Sequence, residues 1–316
     1  MKKYILYALV SVFAALMPSI SLATEILPSV PPIPGDNTMT PVKVELGKML
    51  FFDPRLSSSG VVSCASCHNP SFAFTDRVPR ALGHKHQVGP RNTPTVLNAA
   101  LLNAQFWDGR AATLEEQALG PIQATVEMNE SLDNVVMKLK AIPAYVKLFN
   151  AAFDGKETVT SANIARAIAA FERTLLTVNS PFDRFLAGDT NAISADARKG
   201  WELFQNKGCV ACHNGPNFTN SEFHKIQVPG STDLGRYQVT KKEDDKFRFR
   251  VQSLRNVALT YPYFNNGSVD RLQDAVKIMS REMLKSETGD ADAALIVEFL
   301  KTLTGEPPRF DYPMLP

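Results

Sequence analysis

Apolar residues recur at helical spacing wherever they cluster along this chain. Val44, Met49, Leu50 and Phe52 make a stripe on a helix predicted over Val42–Phe52, which Thr40 can cap, Pro41 can open and Asp53-Pro54 stops. Further helices are predicted over Leu114–Leu119, Leu132–Ile142 and Ala144–Phe153. The clearest spans Ala162–Leu176, where Ile164, Ile168, Phe171 and Leu175 share one face. Beyond a polar stretch from Asn179 to Ala192 the spacing predicts helices over Ala195–Asn206, Val269–Met283 and Ala291–Leu303. Ser268 and Asp290 are the expected caps of the last two, and Gly305 the expected stop. No alternating strand pattern runs beyond a few residues, so the fold class is all-α.

The second half repeats the first in outline. In each, an amphipathic helix runs into a Cys-x-x-Cys-His element, a loop-rich segment follows, and helices close the unit. Two domains are expected, over residues 40–180 and 181–316, packed across a cleft and preceded by a proline-rich arm over 24–39. Lys2 and Lys3, the apolar run from Tyr4 to Met17, and Ser21-Leu22-Ala23 predict a secretory signal over 1–23 and export to the periplasm. A membrane anchor would need roughly 20 apolar residues, and Pro18 breaks this run. Removing the signal leaves 32 basic against 32 acidic side chains, too balanced for a nucleic-acid footprint.

An exported chain with four cysteines ordinarily forms disulfides, but the spacing here indicates something else. Cys64-Ala65-Ser66-Cys67-His68 and Cys209-Val210-Ala211-Cys212-His213 each carry the attachment signature of haem c. One turn of backbone presents two thiols to the porphyrin vinyl groups and places the next histidine beneath the iron. Zinc thiolate and thioredoxin-like sites fit less well, since neither calls for a histidine after each pair. The sixth ligands then decide between catalyst and carrier. His84 and His86, in the loop after the first element, are candidates for the first iron. Met279 and Met283, one turn apart, are candidates for the second, and His224 reads as a surface or structural residue.

Most of the chain after the signal resembles the bacterial di-haem cytochrome c peroxidases. The resemblance is carried by Asp53-Pro54-Arg55-Leu56-Ser57, Leu82-Gly83-His84, Gly89-Pro90-Arg91-Asn92-Thr93-Pro94 and Gln105-Phe106-Trp107-Asp108-Gly109-Arg110-Ala111. In the second half it is carried by Leu254-Arg255-Asn256-Val257-Ala258-Leu259-Thr260 and Pro262-Tyr263-Phe264. It implies two cytochrome c-like domains with two covalent haems. The first would be a peroxidatic haem with His68 proximal and His84 distal at rest. The second would be a high-potential haem held by His213 and Met279 that receives electrons. Trp107 would assist electron passage, Glu127 would act as base and then acid on hydrogen peroxide, and Gln117 would share its pocket. The resemblance also implies one calcium ion between the domains at Asn92, Thr260 and Pro262, a small cytochrome c or cupredoxin as electron donor, and a homodimer.

The sequence departs from the family at three places. His86 stands where tryptophan is common, Asn265-Asn266-Gly267 replaces His-Asp-Gly, and the stretch from Ser280 to Asp290 differs in register, which keeps Met283 in reserve. Two rivals remain: a di-haem enzyme that oxidises a protein during cofactor maturation, with Tyr261 or Tyr263 on the second haem, and a di-haem carrier or sensor without turnover.

Overall fold

A computed structural model describes residues 25–316; the signal expected over 1–23 lies outside the described residues. The first half is built from α1 (Pro41–Phe52), α2 (Cys64–Cys67), α3 (Leu114–Gln123), α4 (Leu132–Lys140), α5 (Pro143–Ala152) and α6 (Ser161–Glu172). The second contains α7 (Pro181–Leu186), α8 (Ala195–Asn206), α9 (Tyr237–Thr240), α10 (Leu272–Leu284) and α11 (Asp290–Lys301). The fold is all-α apart from a short antiparallel pair, β1 (Phe223–Lys225) and β2 (Arg248–Arg250), with Phe223 opposite Arg250. Among the described residues no helix is long and apolar enough to cross a membrane.

Each half has its own core. Leu46, Leu50 and Phe51 of α1 pack with Ile164, Ile168 and Phe171 of α6. Phe182, Phe204, Phe218 and Phe299 form the second cluster, with Trp201 against it. The chain ends tie the halves together. Leu27 of the arm is buried and its N–H donates to Asp183 of the second half. The C-terminal tail returns to the first, where the Phe310 ring lies 5.6 Å from Phe171 and 6.1 Å from Phe74.

Thr40 caps α1 by accepting from the Lys43 N–H, and Pro41 opens the helix, as the pattern predicts. Several boundaries differ. The helix predicted to Leu176 ends at Glu172, because the Leu175 carbonyl turns to accept from the Asn98 N–H. The polar stretch after Asn179 holds α7, which Ser180 and Asp183 close with a reciprocal capping box. Ser268 does not cap α10, because Val269 is still paired with Tyr263 and the helix begins at Leu272. Asp290 is the first residue of α11 rather than its cap, and its carboxylate instead takes Lys277 at 2.8 Å.

Candidate functional site

A cavity of about 600 Å³ runs between the two halves and receives both Cys-x-x-Cys-His elements. Cys67, His68, Cys209, Cys212 and His213 all line it, and none of the four cysteines is joined in a disulfide. His68 Nδ1 lies 3.2 Å from the Phe74 carbonyl, and His213 Nδ1 lies 3.1 Å from that of Phe218. A carbonyl only accepts, so Nδ1 carries the proton in each ring and Nε2 keeps its lone pair for a metal. Burial favours this neutral form: it lowers the pKa of His68 and takes that of His213 down to about 4. A cavity with mainly apolar walls, thiols from both attachment elements and two Nε2 lone pairs fits two haem c groups.

On the first side, Gln117 projects from α3 one turn before Pro121, and both line the cavity with Glu127. Burial raises the Glu127 pKa, and the Arg110 guanidinium partly offsets this. The Glu127 carboxyl therefore holds its proton more tightly than an exposed glutamate does, while Arg110 keeps the carboxylate form accessible.

His84 does not line the cavity, although its sequence position invites that placement. It is buried, with Nδ1 3.0 Å from Ser58 Oγ, and its N–H donates to the Glu127 carbonyl at 2.7 Å. Gly83 makes this pinning possible, since a Cβ there would meet the Val126 oxygen at 2.1 Å. His86 is exposed on the same loop.

On the second side, Met279 and Met283 of α10 both line the cavity. Tyr263 does too, but its hydroxyl donates to the Val257 carbonyl at 3.2 Å. Tyr261 instead stacks with Arg77, 4.9 Å from its ring centre. His224, read from sequence as peripheral, also lines the cavity, with Nε2 3.6 Å from Cys212 Sγ.

Trp107 stands between the halves. Its Nε1 donates to the Asn92 carbonyl at 2.9 Å, and its own carbonyl accepts from the Arg250 N–H at 2.9 Å. Asn92 is bound further to the second half through its N–H, which donates to the Asn265 carbonyl at 2.7 Å. The Asn92 side-chain amide donates to the Val78 carbonyl, which turns Oδ1 the other way. Asn92, Thr260 and Pro262 share the cavity wall. Among the described residues no group of three or more acids, histidines or cysteines is placed to hold a metal. The unusual Asn265 and Asn266 are buried ties, to Ser231 and to the Pro229 carbonyl, and Gly267 lies where a Cβ would strike Pro79.

Two cavity residues escaped the sequence reading. Glu172, at the end of α6, is buried with Oε2 lacking a hydrogen-bond partner among the described residues, and burial raises its pKa to about 8. Arg250 is a buried cation on β2. Within the apolar face of α6 and the Phe-Arg-Phe-Arg alternation of β2, neither residue differs in pattern from a solvated charge.

An all-α chain that brings two such attachment elements to one cavity defines a di-haem c-type cytochrome. The family model described as Di-haem cytochrome c peroxidase matches residues 41–191. The chain is 48% identical over 277 residues to the Cytochrome c551 peroxidase of Nitrosomonas europaea, which covers 86% of this chain and 83% of that one. It is 43% identical over 298 residues to the Methylamine utilization protein MauG of Methylorubrum extorquens, covering 90% and 84%. Among solved structures, a MauG-like protein associated with microbial copper homeostasis aligns with a TM-score of 0.80 at 30% identity, over 90% of this chain and 95% of that one. The chain belongs to the di-haem cytochrome c peroxidase family.

Proposed function

We propose that this protein is a periplasmic peroxidase that reduces hydrogen peroxide to water with electrons from a small cytochrome c or cupredoxin. The observation that carries the reading is the asymmetry of one cavity, with Glu127 and Gln117 facing the His68 side and two methionines facing the His213 side. When bound, the haems supply iron that takes up and passes on single electrons. His68 and Met279 with His213 are the iron ligands in this reading, and the paired cysteines fix the porphyrins.

Glu127 takes a proton from peroxide and returns it to the departing oxygen, which leaves as water. Gln117 orients the peroxide through its amide. Trp107, tied to both halves, lies on the electron path between them. His84 could serve as a ligand to the first haem only if its loop released Ser58 and the Glu127 carbonyl, which would make the loop a gate. Asn92 Oδ1 with the Thr260 and Pro262 carbonyls offers oxygen donors of the kind calcium prefers, and a cation there would brace the two halves. The protein works as a homodimer in this reading.

The maturation-enzyme alternative needs a tyrosine at the second haem. The engaged Tyr263 hydroxyl and the stacked Tyr261 ring favour the methionine arrangement. Peroxide turnover with a reduced small cytochrome c, in calcium, tests the proposal on fully oxidised protein and on protein with the second haem reduced. Turnover that is rapid after half-reduction is the expected result. No turnover in either state would favour a carrier.

A further inference from the structure

Arg250 is only 3% exposed, yet it lines the cavity. Arg91, Arg173 and Arg255 also have nearly buried side chains, and each holds a carboxylate: Asp233 for Arg91, Glu115 for Arg173 and Asp183 for Arg255. Arg250 has no such partner among the described residues. Its Nε donates to the Phe106 carbonyl at 3.3 Å, Nη1 to the Val251 carbonyl at 3.1 Å, and Nη2 to Gln252 Oε1 at 3.2 Å. All three acceptors are neutral. A guanidinium has five N–H donors, so one on each terminal nitrogen is left over.

A buried cation without a counter-charge is costly, and burial alone pulls the Arg250 pKa down to about 10. The site therefore lacks an anion. Glu172 does not supply it: the charges acting on that carboxyl are Arg173 and Glu115, and no acid acts on Arg250. Peroxide is neutral and does not supply it either. A porphyrin with two propionates does, and its two parallel oxygens match the guanidinium fork.

We propose that Arg250 is a carboxylate-binding residue of the cavity that pairs with a propionate of one bound haem. The backbone N–H of Arg250 already holds the Trp107 carbonyl, so the same residue fixes the indole and a haem edge together. Arg250 is thus a positioning residue whose charge also favours the reduced form of the haem it touches. The inference rests on haem filling the cavity and is independent of peroxide turnover.

The test uses the holoprotein and reads the midpoint potential of each haem by spectroelectrochemistry, with haem content measured alongside. Arg250→Gln is expected to retain both covalent haems and to lower the potential of one, by about tenfold in its one-electron equilibrium, or about 59 mV. Arg250→Lys, which keeps the charge, is expected to recover most of that shift. Unchanged potentials for both haems in Arg250→Gln would overturn the proposal, and so would equal shifts in the Gln and Lys variants. If Arg250→Gln does not accumulate with both haems, the propionate bending bands of Arg250→Lys decide by resonance Raman. A shift at one haem supports the pairing, and bands identical to the unsubstituted protein overturn it.

Discussion

In the first half α1 crosses α6 at Gly47, where an added Cβ would fall 1.8 Å from the Ala167 oxygen. In the second half α8 crosses α11 at Gly200, with the Leu295 oxygen at 1.9 Å. Phe171 and Phe299 stand over the two glycines at matching distances. Each histidine of the two attachment elements hands Nδ1–H to a phenylalanine carbonyl and lies 6.5 Å from the ring of a helix phenylalanine, Phe51 or Phe204. Even the joint is symmetric. Asn98 and Asn256, both left-handed, donate to the one hydroxyl of Thr177 at 2.8 Å. The cavity walls differ between the halves, the first contributing the carboxyl of Glu127 and the amide of Gln117 and the second the thioethers of Met279 and Met283. One scaffold, used twice, thus presents two attachment histidines alike, and in the proposed function a few side chains on α3, the Glu127 loop and α10 would give the two haems different work.

The largest effect that would break this contrast falls on the first half. Glu127→Gln should lower peroxide turnover by about 10²–10⁴-fold, with haem content and both potentials unchanged. Substitution at the shared crossings should instead show the halves as equals. Gly47→Ala and Gly200→Ala should each cost about 1–3 kcal/mol in denaturant unfolding, since backbone rather than a flexible side chain occupies the space.

A pH effect follows. Glu127 must be ionised to act as base, and burial raises its pKa, so turnover should climb as pH rises through that raised value. Arg110→Ala should move the limb to higher pH, because Arg110 favours the carboxylate. Glu172 gives a related effect on stability. Its folded-state pKa of about 8 lies above the ordinary value, so its contribution is fully present below about pH 4.5 and is lost as pH rises through 8. Denaturation midpoints of holoprotein should therefore fall between about pH 5 and about pH 8, and Glu172→Gln should flatten that slope. The smallest effect is expected at His224: the Gln variant should keep turnover within about twofold, as befits a second-half residue outside the proton chemistry.

Much of this comparison was legible in the chain. The Cys-x-x-Cys-His elements are local motifs, and the stripes of α1, α6 and α8 follow from spacing alone, so the fold class and attachment residues could be read directly. The α10 and α11 starts were misread, because a β-bridge at Val269 and an ion pair at Asp290 are tertiary choices that override capping preference. Arg250 and Glu172 gave no signal, since an unpaired charge becomes visible only when burial is known. The orientation of the His84 side chain was not legible, because it depends on contacts with Ser58 and the Glu127 backbone that local sequence does not show.

The division of labour between the halves is tested most directly by titrating half-reduced holoprotein with cyanide while following the spectra of both haems. The account predicts that one equivalent binds, at the haem held by Cys64 and Cys67, and that the haem held by Cys209 and Cys212 keeps its spectrum. Binding at the second haem, or at neither in any redox state, would contradict it.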